Sequence, residues 1–327
     1  MTKPSISFII PYYKTGIPLL RRAIQSIMQI SCADIDCEIW IIDDGTPSEE
    51  AKSYVCSLSN TCIHYFRQTN SGLGGARNTG IGLATKNYIQ FIDSDDAIFP
   101  QTERVILKLL SKKQPEILSF DFKKTKKLRL KEHKHIGTKI IYQGNGSDYI
   151  LTHSLHGAAW GYIFKKSLLD SLRFTPHIYH EDEEFTVQLF AKANNVIVTN
   201  LPVYSYTQRS TSIVHNKNKK IITKRFADLL EIILRLKNKS KTLPDLQRKA
   251  LNKRAEELSM AMLFNLLRDS YNKTFLQNRL KEMRQNNLYP LPRRPYSLPY
   301  RLVRRATLHP IITTITFRLF RLRYLLS

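Results

Sequence analysis

Over the first hundred residues, short continuous apolar runs alternate with segments whose apolar residues recur every three or four positions. The runs fall at residues 5–11, 38–42, 63–66 and 88–92. Runs this short, bounded by Gly, Pro and Asp, predict buried strands. Between them, Leu20, Ile24, Ile27 and Met28 share one face of a helix over 19–29. Residues 48–58 predict a second helix with Ser48 as its N-cap, and the glycine-rich stretch 70–82 leads into a third. This alternation predicts a parallel sheet with helices on both faces.

Beyond residue 97 the pattern loosens. Residues 116–122 read as a strand and the basic stretch 123–134 as an exposed hairpin or loop. Residues 158–216 read as mixed, with a helix near 183–193 and a strand at 195–206. From residue 217 the pattern is helical, with Phe226, Leu229, Leu230 and Ile233 on one face and Leu258, Met262 and Leu266 on another. Pro290, Pro292, Pro295 and Pro299 then mark a linker before two basic, apolar segments at 300–308 and 311–326. The expected organisation is a catalytic domain over 1–216, with halves near 1–97 and 98–216. A helical extension over 217–289 and a basic tail over 290–327 follow.

The chemistry gathers at the ends of the predicted strands. The run Tyr88-Ile89-Gln90-Phe91-Ile92 stops abruptly at Asp93-Ser94-Asp95-Asp96. A strand that buries its body cannot bury bare carboxylates as well. The acids therefore belong at its carboxyl end, where open α/β sheets place their ligands. Hard carboxylate oxygens suit a divalent cation that shares its coordination with phosphates. The other tips carry Pro11-Tyr12-Tyr13-Lys14, Asp43-Asp44-Gly45-Thr46 and a loop from Asn70 through Gly72 to Arg77. An aromatic ring, acceptors and an arginine together suit a nucleotide: a base to stack, ribose hydroxyls to bond and phosphates to neutralise.

The order and spacing of these motifs resemble the family 2 glycosyltransferases of the GT-A fold. The matching segments are Pro11-x-Tyr13, Asp43-Asp44-Gly45-Thr46, Ala76-Arg77-Asn78-Thr79-Gly80 and Asp93-Ser94-Asp95. Trp160-Gly161-Tyr162, His180-Glu181-Asp182-Glu183-Glu184-Phe185 and Arg209-Ser210-Thr211-Ser212 continue the likeness, which covers roughly residues 5–215. The resemblance implies a metal-dependent, inverting transfer of a sugar from a nucleotide-sugar, with UDP the expected nucleotide. It implies Asp182 as general base with Glu181 in support. Pro11, Tyr13, Asp43, Asp44, Asn70, Gly72, Arg77, Asp93, Ser94, Arg209 and Ser212 would line the donor. Asp95, Asp93 and His215 would hold Mn²⁺ or Mg²⁺, and Trp160 and Asp96 would face the acceptor. The bland alternatives are helix capping for Asp43 and Asp44, an ion-pair role for Arg77, and dipole-stabilised acids at 181–184. Two departures limit donor assignment: Lys14 stands where asparagine is common, and Gln208 beside Arg209 matches no donor pattern.

Composition changes the picture mainly at the C-terminus. Of the net charge of +24, residues 217–327 carry +19, and no acid follows Glu282. Arginines interleaved with Phe317, Leu319, Phe320 and Tyr324 read as a basic amphipathic tail on an anionic bilayer. That favours a glycan or lipid-linked acceptor in surface polysaccharide biosynthesis, at the inner face of the plasma membrane. Nucleic-acid binding is excluded for want of a reading module. No run of eighteen apolar residues occurs, so no transmembrane helix is expected, and the first residues have no signal-peptide core. Cys32, Cys37, Cys56 and Cys62 lack zinc-site spacing and suit a reducing cytoplasm. The rival readings are a catalytically silent scaffold of the same fold that binds membrane or partner, and a nucleotidyltransferase.

Overall fold

The computed structural model describes residues 3–30, 35–125, 137, 139–208, 218–270, 272–292 and 298–308. The chain forms two compact units, Met1–Ser210 and Thr211–Ser327.

The first unit opens with strand β1 (Ser5–Tyr12), helix α1 (Ile17–Met28), β2 (Asp36–Asp43), α2 (Glu50–Ser57), β3 (Ile63–Arg67), α3 (Gly72–Leu83) and β4 (Tyr88–Phe91). Strands β1 to β4 pair in parallel in the order β3-β2-β1-β4. The chain leaves β1 in one direction to build β2 and β3, then returns to its other side for β4. That reversal opens a crevice between the carboxyl ends of β1 and β4, the usual ligand position of such sheets. Two local readings shift. Helix α2 is capped at Glu49 without a side-chain bond, although the Ser48 hydroxyl still accepts the Glu50 amide at 3.2 Å. The glycine-rich stretch is itself α3 and not its approach.

The remaining elements are β5 (Ala97–Ile98), α4 (Pro100–Lys113), β6 (Ile117–Thr125), β7 (Ile140–Gly144), α5 (Gly146–Thr152), β8 (Tyr162–Lys165), α6 (Glu181–Lys192) and β9 (Val196–Thr207). They extend the sheet through β8, β6, β9 and β5, with β7 also on β9. Here the sheet is mixed: β8 runs antiparallel to β4 and β6, while β6 and β9 are parallel. The parallel sheet expected of the first hundred residues is thus β1 to β4, and the whole sheet is mixed and mostly parallel. Antiparallel strands arise because this half lacks the regular helix after each strand that parallel crossovers need. The core lies between the sheet and α1 and α4, where Phe8, Ile10, Leu20, Ile24, Ile106 and Ile163 are sealed from solvent. Each such side chain contributes about 1.5–3 kcal/mol by burial.

The second unit is helical: α7 (Lys219–Ser240), α8 (Asp245–Asp269), α9 (Lys273–Gln285) and α10 (Leu298–Thr307). Phe226, Leu229, Leu230 and Ile233 are buried on α7, and Leu258, Met262 and Leu266 on α8. On α10, Arg301 and Arg305 are exposed and Arg304 is partly exposed. Arg304 Nε donates to the carbonyls of Leu291 and Pro292 at 2.8 and 3.1 Å. The outward face holds Leu298, Arg301, Leu302, Arg305 and Leu308. No helix among the described residues is long and apolar enough to cross a membrane.

Candidate functional site

The site is built around the turn that follows β4. Four groups distant in sequence hold this turn in place. The Asp93 amide donates to Tyr204 Oη at 3.0 Å, and Ser94 Oγ pairs with Thr15 Oγ1 at 2.8 Å. Arg22 Nη2 donates to the Asp95 carbonyl at 2.8 Å and also to Thr207 Oγ1. Asp96 Oδ1 accepts the Thr207 amide at 2.6 Å. The turn is closed internally by the Asp96 amide on the Asp93 carbonyl at 2.9 Å. Arg22, Tyr204 and Thr15 were not foreseen. The one available signal was Arg22, a cation set among Leu20, Ala23 and Ile24 on a helix otherwise destined for the core.

This clamp sorts the four residues of the turn. Asp93 and Asp95 keep partly exposed side chains. Ser94 and Asp96 are buried and bonded within the protein. Asp96 was expected to face the acceptor, but its carboxyl lies inside, against β9. Burial, with Asp93 and Asp95 close by, pushes its pKa up to about 8, the Thr207 N–H partly offsetting the rise. Ser94 likewise serves the clamp and not the donor.

Arg77 connects this turn to the second acidic element. It lies on α3, with only 2% of its side chain exposed. Its Nη2 donates to Asp93 at 3.0 Å and its Nη1 to Glu181 at 2.7 Å, joining residues 104 apart in sequence. The rings of Phe91 and Phe174 lie 5.7 and 5.3 Å from the guanidinium. Burial opposes the charge, but Asp93, Glu181 and Asp182 outweigh it and push the Arg77 pKa up. The expected contact of Arg77 with the donor gives way to an internal ion-pair bridge, because both terminal nitrogens are spent on carboxylates.

Glu181 and Asp182 begin α6. The residue before them, His180, holds a left-handed backbone with φ of 66°, costly for a residue with a Cβ. That turn starts the helix with four consecutive acids, which the helix dipole favours. Burial raises the Asp182 pKa well above the usual carboxylate range, with Glu181 and Glu183 adding to the rise and Arg77 opposing it. Glu181 is also raised by burial, the Arg77 charge opposing. A carboxylate with a raised pKa is a stronger base, as proton abstraction from a hydroxyl requires.

At the tip of β1, Tyr13 is 45% exposed while Pro11 is buried. Lys14 sits in the left-handed region, φ 52°, with its ammonium 4.9 Å above the Tyr13 ring. Asparagine tolerates that backbone well, which accounts for its frequency at this position. At the tip of β2 the two aspartates differ. Asp43 Oδ1 accepts the Thr46 amide, and Oδ2 accepts Tyr65 Oη and Arg67 Nε. Asp44 accepts Gln68 Nε2 and the Ser71 amide through Oδ1, both at 2.8 Å. Among the described residues the Asp44 carboxylate accepts hydrogen bonds through that oxygen only. Asn70 is exposed and donates to the Asp44 carbonyl at 2.8 Å. Gly72, φ 74°, starts α3 against the His177 backbone, and a Cβ there would lie 3.2 Å from its nitrogen. Its visible role is this turn. Trp160 is only 7% exposed and stacks on Tyr204, so it backs a wall and does not face the acceptor directly. Arg209, Ser212 and His215 lie outside the described residues.

A divalent cation fits this arrangement. Asp93 and Asp95 offer hard oxygens two residues apart on a braced turn. No group of three or more metal-ligating side chains occurs among the described residues. Two carboxylates suit a cation that takes much of its coordination from phosphate and water.

The glycosyl transferase family 2 signature matches residues 7–171, and the chain belongs to that family. The glycosyltransferase GlyA of Streptococcus pneumoniae is 27% identical over 221 residues. That match spans 64% of this chain but only 31% of GlyA. Among solved structures, Staphylococcus aureus TarS residues 1–349 in complex with UDP-GlcNAc superposes with a TM-score of 0.53 at 16% identity. It covers 87% of this chain and 93% of that one. The mannosyltransferase PcManGT of Pyrobaculum calidifontis, in complex with GDP-Man and Mn²⁺, gives a TM-score of 0.56 at 14% identity. It covers 98% of this chain and 85% of its own. These likenesses establish the α/β GT-A fold.

Proposed function

We propose that the protein transfers a sugar from a nucleotide-sugar, with UDP as the expected nucleotide, to a hydroxyl of a glycan or lipid-linked acceptor, inverting the anomeric centre. The observation that carries this reading is the Arg77 bridge, which holds the Asp93 turn and the Glu181–Asp182 helix start together. A donor-side carboxylate pair and a base of raised pKa are the two groups that such a displacement needs.

Tyr13 and Asp44 hold the base and ribose, with Asn70 at the rim. Asp93 and Asp95, with His215 as a further candidate, hold Mn²⁺ or Mg²⁺. When bound, the cation neutralises the charge that develops on the departing diphosphate. Asp182 takes the proton of the acceptor hydroxyl as its oxygen attacks the anomeric carbon from the face opposite the diphosphate. Glu181, fixed by Arg77, keeps Asp182 oriented. Arg209 and Ser212 complete the diphosphate contacts. The acceptor belongs to surface polysaccharide biosynthesis on the cytoplasmic face of the plasma membrane. There the basic C-terminal tail, beginning with Arg301 and Arg305, draws the enzyme to anionic lipid.

Calorimetry with UDP, GDP and CDP, with and without Mn²⁺, tests the donor half of this reading. Metal-dependent binding of one nucleotide, lost in Asp95→Ala, is the expected result. Folded protein that binds none of the three with metal present would overturn it.

A further inference from the structure

Where β6, β9 and the loop before β8 meet, five rings gather. Trp160 stacks on Tyr204 with centroids 4.3 Å apart and planes at 10°, and on Tyr206 at 5.8 Å. Phe122 meets Trp160 edge-on at 5.0 Å and Tyr206 at 6.3 Å. The His156 ring lies 5.2 Å from both Phe122 and Trp160. Burial divides the group into two layers. Trp160 and Tyr204 are buried, Phe122 and Tyr206 are partly exposed, and His156 is exposed. A stacked pair thus supports three rings that reach solvent.

This cluster is fastened to both acidic elements. Tyr204 Oη accepts the amide of Asp93, at the tip of β4. On the other side, Gly157 follows His156 directly and lies against Glu183, the residue after Asp182. A Cβ at Gly157 would sit 2.0 Å from the Glu183 carboxylate. Thr186 Oγ1, one turn further along α6, donates to the Gly157 carbonyl at 2.8 Å. The rings therefore adjoin the first turn of α6 and the aspartate turn at once.

We propose that Phe122, His156 and Tyr206 form a saccharide-binding platform that seats the acceptor's pyranose ring beside Asp182. One face of a pyranose carries mainly C–H groups, made slightly positive by their oxygens. The face of an aromatic ring is slightly negative, so the two surfaces attract while both lose water. Rings already fixed by stacking lose little conformational freedom on binding. A neutral imidazole such as that of His156 carries one donor and one acceptor nitrogen, the kinds of group that sugar hydroxyls bond. Two aromatic rings and one imidazole beside a carboxylate suit a neutral sugar better than a free phosphate or a lipid chain. The inference rests on the transferase reading, and it names the part of the acceptor that is gripped.

The test is saturation-transfer NMR on the full chain with Mn²⁺ and UDP. The probes are the methyl glycosides of glucose, galactose, N-acetylglucosamine and N-acetylgalactosamine. Irradiation of the aromatic resonances should transfer saturation to the ring protons of at least one glycoside. That signal should fall about five-fold or more in His156→Ala and in Phe122→Ala, as for anchoring side chains in other sites. His156→Ala removes an exposed side chain, so its melting curve should match the parent and keep the result interpretable if Phe122→Ala unfolds. No transfer to any glycoside, or transfer unchanged in His156→Ala, overturns the platform. The calorimetric nucleotide titration separates this from the parent reading. Nucleotide binding without glycoside transfer sinks the platform alone. Glycoside transfer lost in the variants, without nucleotide binding, supports the platform and sinks the transferase.

Discussion

The two halves of the first unit solve different problems with different materials. The half before residue 97 repeats one device, a parallel strand whose tip carries a short polar motif. Tyr13, Asp43, Asp44, Asp93 and Asp95 all belong to such tips, and the chain delivers them to one edge by topology alone. The half after residue 97 has antiparallel strands and irregular connections. Its groups reach the same edge through single long-range contacts: Arg77 to Glu181, Tyr204 to Asp93, Gly157 to Glu183. The geometry of the strand tips is thus a property of the sheet. The placement of the α6 start depends on a few bridges, each of which one substitution can cut.

The largest expected effect lies on the chemistry that the second half supplies. Asp182→Asn keeps shape and removes the base proposed above, so sugar transfer should fall about 10²–10⁴-fold, while metal-dependent nucleotide binding persists. The raised pKa of Asp182 gives a sign for the pH profile. The base works when ionised, so kcat/KM should climb with pH through a limb above the usual carboxylate range. Transfer that survives in Asp182→Asn, or a limb below pH 4, would move the base elsewhere.

Cutting the bridge between the halves comes next. Arg77→Met leaves the buried Glu181 carboxylate and the partly exposed Asp93 without their cation. Losing one partner of such a cluster costs about 3–5 kcal/mol, to be read as a lower urea midpoint with unchanged slope. A variant as stable as the parent would show that the bridge is incidental. The sequence could not distinguish this from a donor contact. The motif identifies Arg77 as important, but only the fold shows that both of its terminal nitrogens face inward.

That limit recurs across the site. The gathering of the strand-tip motifs on one edge was legible because βα repetition places every strand end on one side, so spacing carried the geometry. Asp96 was misread because three adjacent acids look equivalent along a chain. Only β9, over a hundred residues away, decides which of them turns inward. Strands β5 and β7 escaped for the same reason. Their short patterns acquire an inside face only once β9 is in place. Gly157 gave no signal at all. Gly157→Ala should push against the Glu183 carboxylate and displace the first turn of α6. Misplacement on this scale costs about 10²-fold in transfer and should leave UDP binding intact. Equal loss of both would mean that the two edges are not independent.

The smallest effect probes the seam where the halves share a core. Glu103, in the first turn of α4, is wholly buried beside Gln90 of β4. Burial pushes its pKa up to about 8, the Gln90 amide offsetting a little of the rise. The folded protein therefore holds this proton more tightly than the unfolded chain, where a glutamate titrates near 4.3. Its favourable contribution is complete below that value. It is lost as pH rises toward about 8, because the unfolded state releases the proton first. Glu103→Gln keeps the shape and cannot ionise. It should match the parent within about 1 kcal/mol at pH 4 and be the more stable of the two at pH 8, measured by urea unfolding. The gain should come with little change in nucleotide binding, since neither Glu103 nor Gln90 reaches the ligand edge. A parent whose stability runs parallel to the variant from pH 4 to 8 would mean that Glu103 finds water or a partner. The seam would then be wetter than the core on either side of it.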